Sequence, residues 1–185
     1  MNETAIISKM NEYEFQLADK ISAWLRKKLP KLTDNWWDDL VFQNLSTLQR
    51  EQVTEKNIRE LGGLDLAALL RIFDRNWFVI TGSFFVNNRE RQYIREMMEV
   101  RNSWAHITGA DISKEKVIHD VDVIIELMDA FDAKSSEIRP MESFKMDVED
   151  DADIQEKVEE VIVLVKPVNE NSQVNTGWQY RHSEQ

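Results

Sequence analysis

Ile6, Met10, Tyr13, Leu17, Ile21 and Trp24 recur at three- and four-residue steps. Only an α-helix gathers such positions onto one face. The spacing therefore predicts an amphipathic helix of about 25 residues, stopped by Leu29-Pro30. Phe15 falls on the opposite side of that helix and is expected to be an exposed contact. The rest of the chain keeps the same period. With only 5 Gly and 3 Pro and few alternating β-branched runs, an all-α fold is the expectation.

Asp34 is placed to cap a short helix over "NWWDDLVFQNL". A polar stretch, "STLQREQVTEKNIREL", leads to Gly62-Gly63. In "LDLAALLRIFDRNWFVI", residues 64–80, apolar side chains cover most of the helix circumference, which predicts one central, buried helix. Arg71, Asp74 and Arg75 make up its narrow polar face. "TGSFFVNN" reads as a loop, and "RERQYIREMMEVRNSWAHI" as the next helix. After "TGAD", Asp111 or Ser113 caps a last long helix to about Ala133, with Ile118, Val121, Ile124, Ile125 and Met128 inward.

From Glu137 to Glu170 the chain carries 11 acids against 4 bases, whereas residues 1–136 carry 22 against 18. The net charge of -11 is thus concentrated late in the chain. Two units are expected: a helical bundle over 1–136 and an acidic, poorly structured linker and tail over 137–185, with "VIVLVKPV" as its one short apolar run. Truncation near Ala133 is then expected to leave folding intact. The mildly acidic body argues against broad, non-specific nucleic-acid binding. No apolar run approaches a membrane span, and no signal-peptide pattern opens the chain. The absence of cysteine fits a reducing, cytoplasmic setting. There is no phosphate-binding glycine loop and no His-Glu-x-x-His, so no cofactor or metal is expected. "EDDAD" at 149–153 reads as a solvated acidic run, and "RKKLPK" at 26–31 as a basic helix end facing the helix dipole. Trp36-Trp37 and Trp77 read as core or interface aromatics.

One helix carries an anomaly. On a wheel with Arg91 at zero, Arg95, Asn102 and His106 all fall within about 60°. Ile94, Met97, Val100 and Trp104 occupy the arc from about 180° to 300°, Met98 and Ala105 fall between it and the polar face, and Arg101, at about 280°, lies inside the apolar arc. An arginine there either pairs with an acid, such as Asp74 or Asp65, or snorkels to a cleft. A histidine near a helix end serves the dipole or a site. Arg91 and Arg95 belong either to a site or to a solvated face shared with Glu90, Glu96 and Glu99.

Arg101-Asn102-Ser103-Trp104-Ala105-His106 resembles the R-x4-6-H signature of the HEPN superfamily. "WWDDLVF", "LGGLDLAALLRIFDRNW" and "MMEVRNSWAHI" extend the resemblance over about residues 35–107. They are similar to a HEPN subgroup found on a nuclear RNA quality-control endonuclease and on large bacterial ATPase, helicase and defence proteins. The resemblance implies a four- to five-helix bundle that forms a homodimer, with two motif helices facing one cleft. It implies metal-independent endoribonuclease chemistry, with His106 moving protons, Arg101 holding the phosphate and Asn102 assisting. Arg91 and Arg95 would then steer RNA. A defence, toxin–antitoxin or RNA-processing context follows from the same likeness, as does a larger multidomain or protein-partner setting. The alternative it leaves open is a non-catalytic HEPN module for dimerisation or partner docking.

Overall fold

The computed structural model describes residues 1–107 and 112–151. These residues form seven α-helices and no strand. Helix α1 (Glu3–Lys28) opens on Asn2, whose side chain accepts a hydrogen bond from the Ala5 amide. It buries Ile6, Met10, Tyr13, Leu17, Ile21 and Leu25 along the predicted stripe. Trp24 lies at the stripe's edge, half-buried against Phe73 and Phe131, with ring centroids 5.6 Å away in each case. Phe15 points outward, 69% exposed.

The short helix expected after Asp34 is not α-helical. Trp37–Val41 forms a π-helical turn and Phe42–Asn44 a 3₁₀ turn, with no cap from Asp34. The cause is a neighbour. The buried Asn76 side chain donates to the Leu40 carbonyl at 2.7 Å and accepts from Asn44 at 3.4 Å, so the segment is shaped to meet it. Helix α2 (Thr47–Glu55) follows, closed at its start by reciprocal bonds between Ser46 and Gln49.

Residues 64–80 hold the dense apolar packing expected of them but not as one helix. Helix α3 (Leu66–Arg75) has six of its ten residues buried. Helix α4 (Trp77–Ser83) starts afresh after Asn76, whose amide also donates to the Ile72 carbonyl at 2.8 Å. A side chain that bonds its own helix backbone and a distant carbonyl together redirects the chain at that point. As a result Phe78 and Val79 face solvent while Trp77 and Ile80 stay inside.

Helix α5 (Asn88–Ala105) carries the motif and buries Ile94, Met97, Val100 and Trp104. Helix α6 (Lys114–Ala130) is capped by Ser113, which accepts from the Lys116 amide. The competing cap, Asp111, lies outside the described residues. Val121, Ile124 and Met128 are buried as expected, and Ile118 and Ile125 are half-buried. Asp132 adopts φ 62°, and the Ala133 amide returns to the Met128 carbonyl, which ends α6.

The linker reading of residues 137–149 is corrected by helix α7 (Ser135–Glu149), which packs on α6. Met141, Phe144 and Val148 are spaced three and four apart and fully inside. Composition averaged over an acidic stretch hides so short a stripe. The Tyr13 hydroxyl donates to the Pro140 carbonyl at 3.2 Å, and Lys20 pairs with Glu137 at 2.7 Å. The "VIVLVKPV" run lies outside the described residues. Helix α1 touches α3, α5 and α6, so the motif helix is braced from both sides.

Candidate functional site

The motif helix starts rigidly and ends at the site. The Asn87 side chain accepts from the Arg89 amide, and the Asn87 amide donates to Glu90. At the far end Ala105 is the last helical residue and His106 is the cap, exposed, with its amide directed to the Ser103 and Trp104 carbonyls. Among the described residues the His106 imidazole meets no hydrogen-bond partner.

Trp104 fixes the inner face of this end. Its indole nitrogen donates to Asp120 at 2.7 Å, and Asp120 is 3% exposed. The same carboxylate accepts from Lys116 at 2.6 Å, and Lys116 also reaches the Ser103 hydroxyl at 2.8 Å. His119 joins Asp120 and Glu96, each at 3.0 Å. The bond to Asp120 leads the causes that raise the His119 pKa. None of this network was legible as a site, because its residues come from two helices with no motif spacing.

Arg101 sits on the rim of the apolar arc, its side chain 33% exposed. One guanidinium nitrogen donates to the Asn102 side-chain oxygen Oδ1 at 3.3 Å, and another lies 3.9 Å from Asp65. The Asp65 carboxylate also caps α3 by accepting from the Ala68 amide. Of the two acids expected as partners, Asp65 is therefore a loose one, and Asp74 is engaged elsewhere. Asn102 is turned to Arg101, and no bond from it to His106 is present.

A third acid, Glu14 of α1, carries no signal in the sequence, where it is one of two glutamates in "NEYEFQ". It lines a cavity of about 460 Å³ together with Arg101, Asp65 and the exposed Phe15. One of its oxygens is buried with no partner. Burial pushes its pKa up to about 7, with Arg101 pulling the other way. The raised value has a sign that can be checked. As pH climbs from 4.5 towards 7 the unfolded chain releases this proton before the folded one does, so stability is lost across that interval. Glu14→Gln is expected to stabilise the protein at pH 8 by about 1–2 kcal/mol after solvent screening, and to do nothing near pH 4. Paired thermal melts across pH measure this; a shift that does not vary with pH contradicts it.

On the other side of Arg101 lies a cleft of about 570 Å³ between α3, α4 and α5. Five arginines line it: Arg71, Arg75, Arg91, Arg95 and Arg101. Asp74 is the one acid in the lining, and it accepts from Arg91 at 2.9 Å and Arg95 at 3.1 Å. Burial alone would raise the Asp74 pKa, but these two bonds outweigh it and hold the carboxyl below its usual range. The Arg91 guanidinium also stacks 5.5 Å from Trp77 and 5.2 Å from Phe78. Asn102 completes the cleft at the motif end, while His106 is not among its lining residues. The structure thus joins Arg91, Arg95, Arg101 and Asn102 and sets His106 apart. It adds Arg71, Arg75 and Phe78, of which the first two were visible as a polar stripe on an otherwise apolar helix.

The Swt1-like HEPN family model matches residues 14–132. The chain belongs to the HEPN superfamily. No curated protein and no solved structure matches it. The match takes in α2 to α6 and most of α1, and so every residue of the arginine cleft. Helix α7 lies beyond the matched residues of this HEPN domain. Among the described residues no helix is long and apolar enough to cross a membrane.

Proposed function

We propose that this HEPN domain is a metal-independent endoribonuclease module that works as a homodimer. The observation that carries the reading is the convergence of Arg101 and Asn102 with four further arginines on one cleft of an otherwise acidic chain. RNA brings its own nucleophile. The 2′-oxygen forms a bond to phosphorus, the bond from phosphorus to the 5′-oxygen breaks, and a 2′,3′-cyclic phosphate is left. A base must take the 2′ proton and an acid must supply one to the 5′-oxygen. His106 is the group with suitable chemistry at the motif. One imidazole does not serve both ends of the reaction at once, so a second copy supplies the other. Arg101 offers a planar donor fork to the phosphate oxygens as charge builds there. A defence, toxin–antitoxin or RNA-processing role in the cytoplasm suits such a module.

Cleavage of a mixed RNA pool in EDTA tests the reading. Wild-type protein should leave 2′,3′-cyclic ends, and His106→Ala should cut roughly 10²- to 10⁴-fold more slowly. Arg101→Lys should also lose rate with little loss of stability, because its partners are loose and partly exposed. Full activity in His106→Ala, or strict dependence on a divalent metal, overturns it. The second reading is a non-catalytic HEPN dimerisation or docking module. It draws on the exposed Phe15 and Phe85 rings and on the separation of His106 from the cleft. Its signature is a stable dimer that cuts no RNA.

A further inference from the structure

The arginine cleft has an exposed aromatic ring on its rim and more positive charge than its lining can neutralise. Asp74 answers Arg91 and Arg95 only. Arg75 is exposed and makes no ion pair among the described residues. Arg71 is held open by donating to the Asn44 carbonyl at 2.8 Å. Five guanidiniums held around one carboxylate repel each other, and an incoming polyanion relieves that repulsion.

Phe78 lies at the rim, 76% exposed, with the Arg91 guanidinium 5.2 Å from its ring. Its outward position follows from the break at Asn76, since the neighbouring Trp77 and Ile80 are buried. A large ring exposed beside clustered arginines is the pairing that single-stranded nucleic acid uses: bases stack, and phosphates meet the charge. A duplex has its bases already stacked on one another and offers Phe78 nothing. The positions from Arg91 to Arg101 extend about 15 Å along α5, much more than one phosphate group needs.

We propose that the cleft between α3, α4 and α5 is a track for single-stranded RNA, in which Phe78 stacks an unpaired base and Arg75, Arg91 and Arg95 hold successive phosphates leading to Arg101. This rests on the endoribonuclease reading for what happens at the motif, but the track is a binding property and can be measured without cleavage.

The test uses the full chain carrying His106→Ala, so that bound RNA persists. Anisotropy of a labelled single-stranded oligonucleotide and of a labelled blunt-ended two-strand duplex is measured at low and moderate salt, with ATP as a competitor. The single strand should bind tighter than the duplex, and ATP should displace it poorly. Phe78→Ala should weaken single-strand binding roughly 5- to 100-fold and leave duplex binding unchanged. Arg75→Ala should weaken both and lower the salt slope by about 1. Both side chains are exposed, so neither change threatens the fold. Absence of RNA binding, equal affinity for duplex, efficient displacement by ATP or an unaltered Phe78→Ala variant overturns the track. Wild-type protein that cuts RNA while the Phe78 and Arg75 variants cut equally well removes the track alone. Single-strand binding that depends on Phe78, with no cleavage by wild type, removes the nuclease reading alone.

Discussion

Cutting the chain after Ala133 should abolish the cooperative melting transition. The cut removes α7 and with it Met141, Phe144 and Val148, which are 0%, 5% and 0% exposed. Full burial of each such side chain stabilises by about 1.5–3 kcal/mol, or roughly 5–9 together. A domain of this size is stable by only about 5–15 kcal/mol in total. Further losses follow. Tyr13 loses the edge-on packing of Phe144, at 5.6 Å between ring centroids, and the Pro140 carbonyl that its hydroxyl meets. Lys20 and Lys145 lose or strand their carboxylate partners Glu137 and Asp122. Circular dichroism during heating distinguishes the outcomes. A truncated chain that melts sharply within a few degrees of the full one would mean that α7 is a passenger.

Asp120→Ala should be the most damaging single substitution near the motif. One buried carboxylate accepts from the Trp104 indole and the Lys116 ammonium and meets His119 on its other oxygen. Removing it leaves the indole N–H without its acceptor and Lys116 with the Ser103 hydroxyl alone, at a cost of about 2–4 kcal/mol. Urea titration followed by tryptophan emission measures that cost. Asp120→Asn should fall between, since it keeps an acceptor oxygen but loses the charge. The His119 share of the effect has a definite pH window. Its folded pKa is raised above the usual 6.5, chiefly by Asp120. That contribution is therefore fully present below 6.5 and is lost as pH rises through the folded value. The gap between wild type and Asp120→Ala should narrow in the same direction. A cost under about 1 kcal/mol, the range of surface pairs, would show that the network is ornamental.

The stripes on α1 and α5 were legible because a 3.6-residue period repeated for several turns leaves little else for the chain to do. The all-α class followed from them. What escaped was set by contacts between segments far apart in the chain. Asn76 looked like an ordinary residue inside an apolar helix; its meaning lies in the Leu40 carbonyl, 36 residues away. At the site, the helical wheel alone marks Arg101 as out of place, and Asp65 is one of the two acids it offers as a partner. Glu14 has no such mark, because burial rather than residue type makes it unusual. The sequence shows Arg71 and Arg75 as a polar face but not as a wall of the cleft, since only the packing of α3 against α5 brings them to Arg91 and Arg95.

Trp104 and His106 stand two residues apart, yet one is anchored to the core through Asp120 and the other is exposed beyond the last helical residue. Under the endoribonuclease proposal, this would divide the entropic cost of ordering a reacting RNA's site unevenly. The backbone up to Ala105 is already ordered by α6, so nothing there has to be frozen when a substrate arrives. Among the described residues at this end, the group left to order would be the His106 imidazole, at about 0.5–1.5 kcal/mol for its rotamer choice. If the proposed homodimer forms and its second protomer crowds that ring, the choice would be settled before RNA enters. Dimer concentration would then appear in the turnover number as well as in affinity.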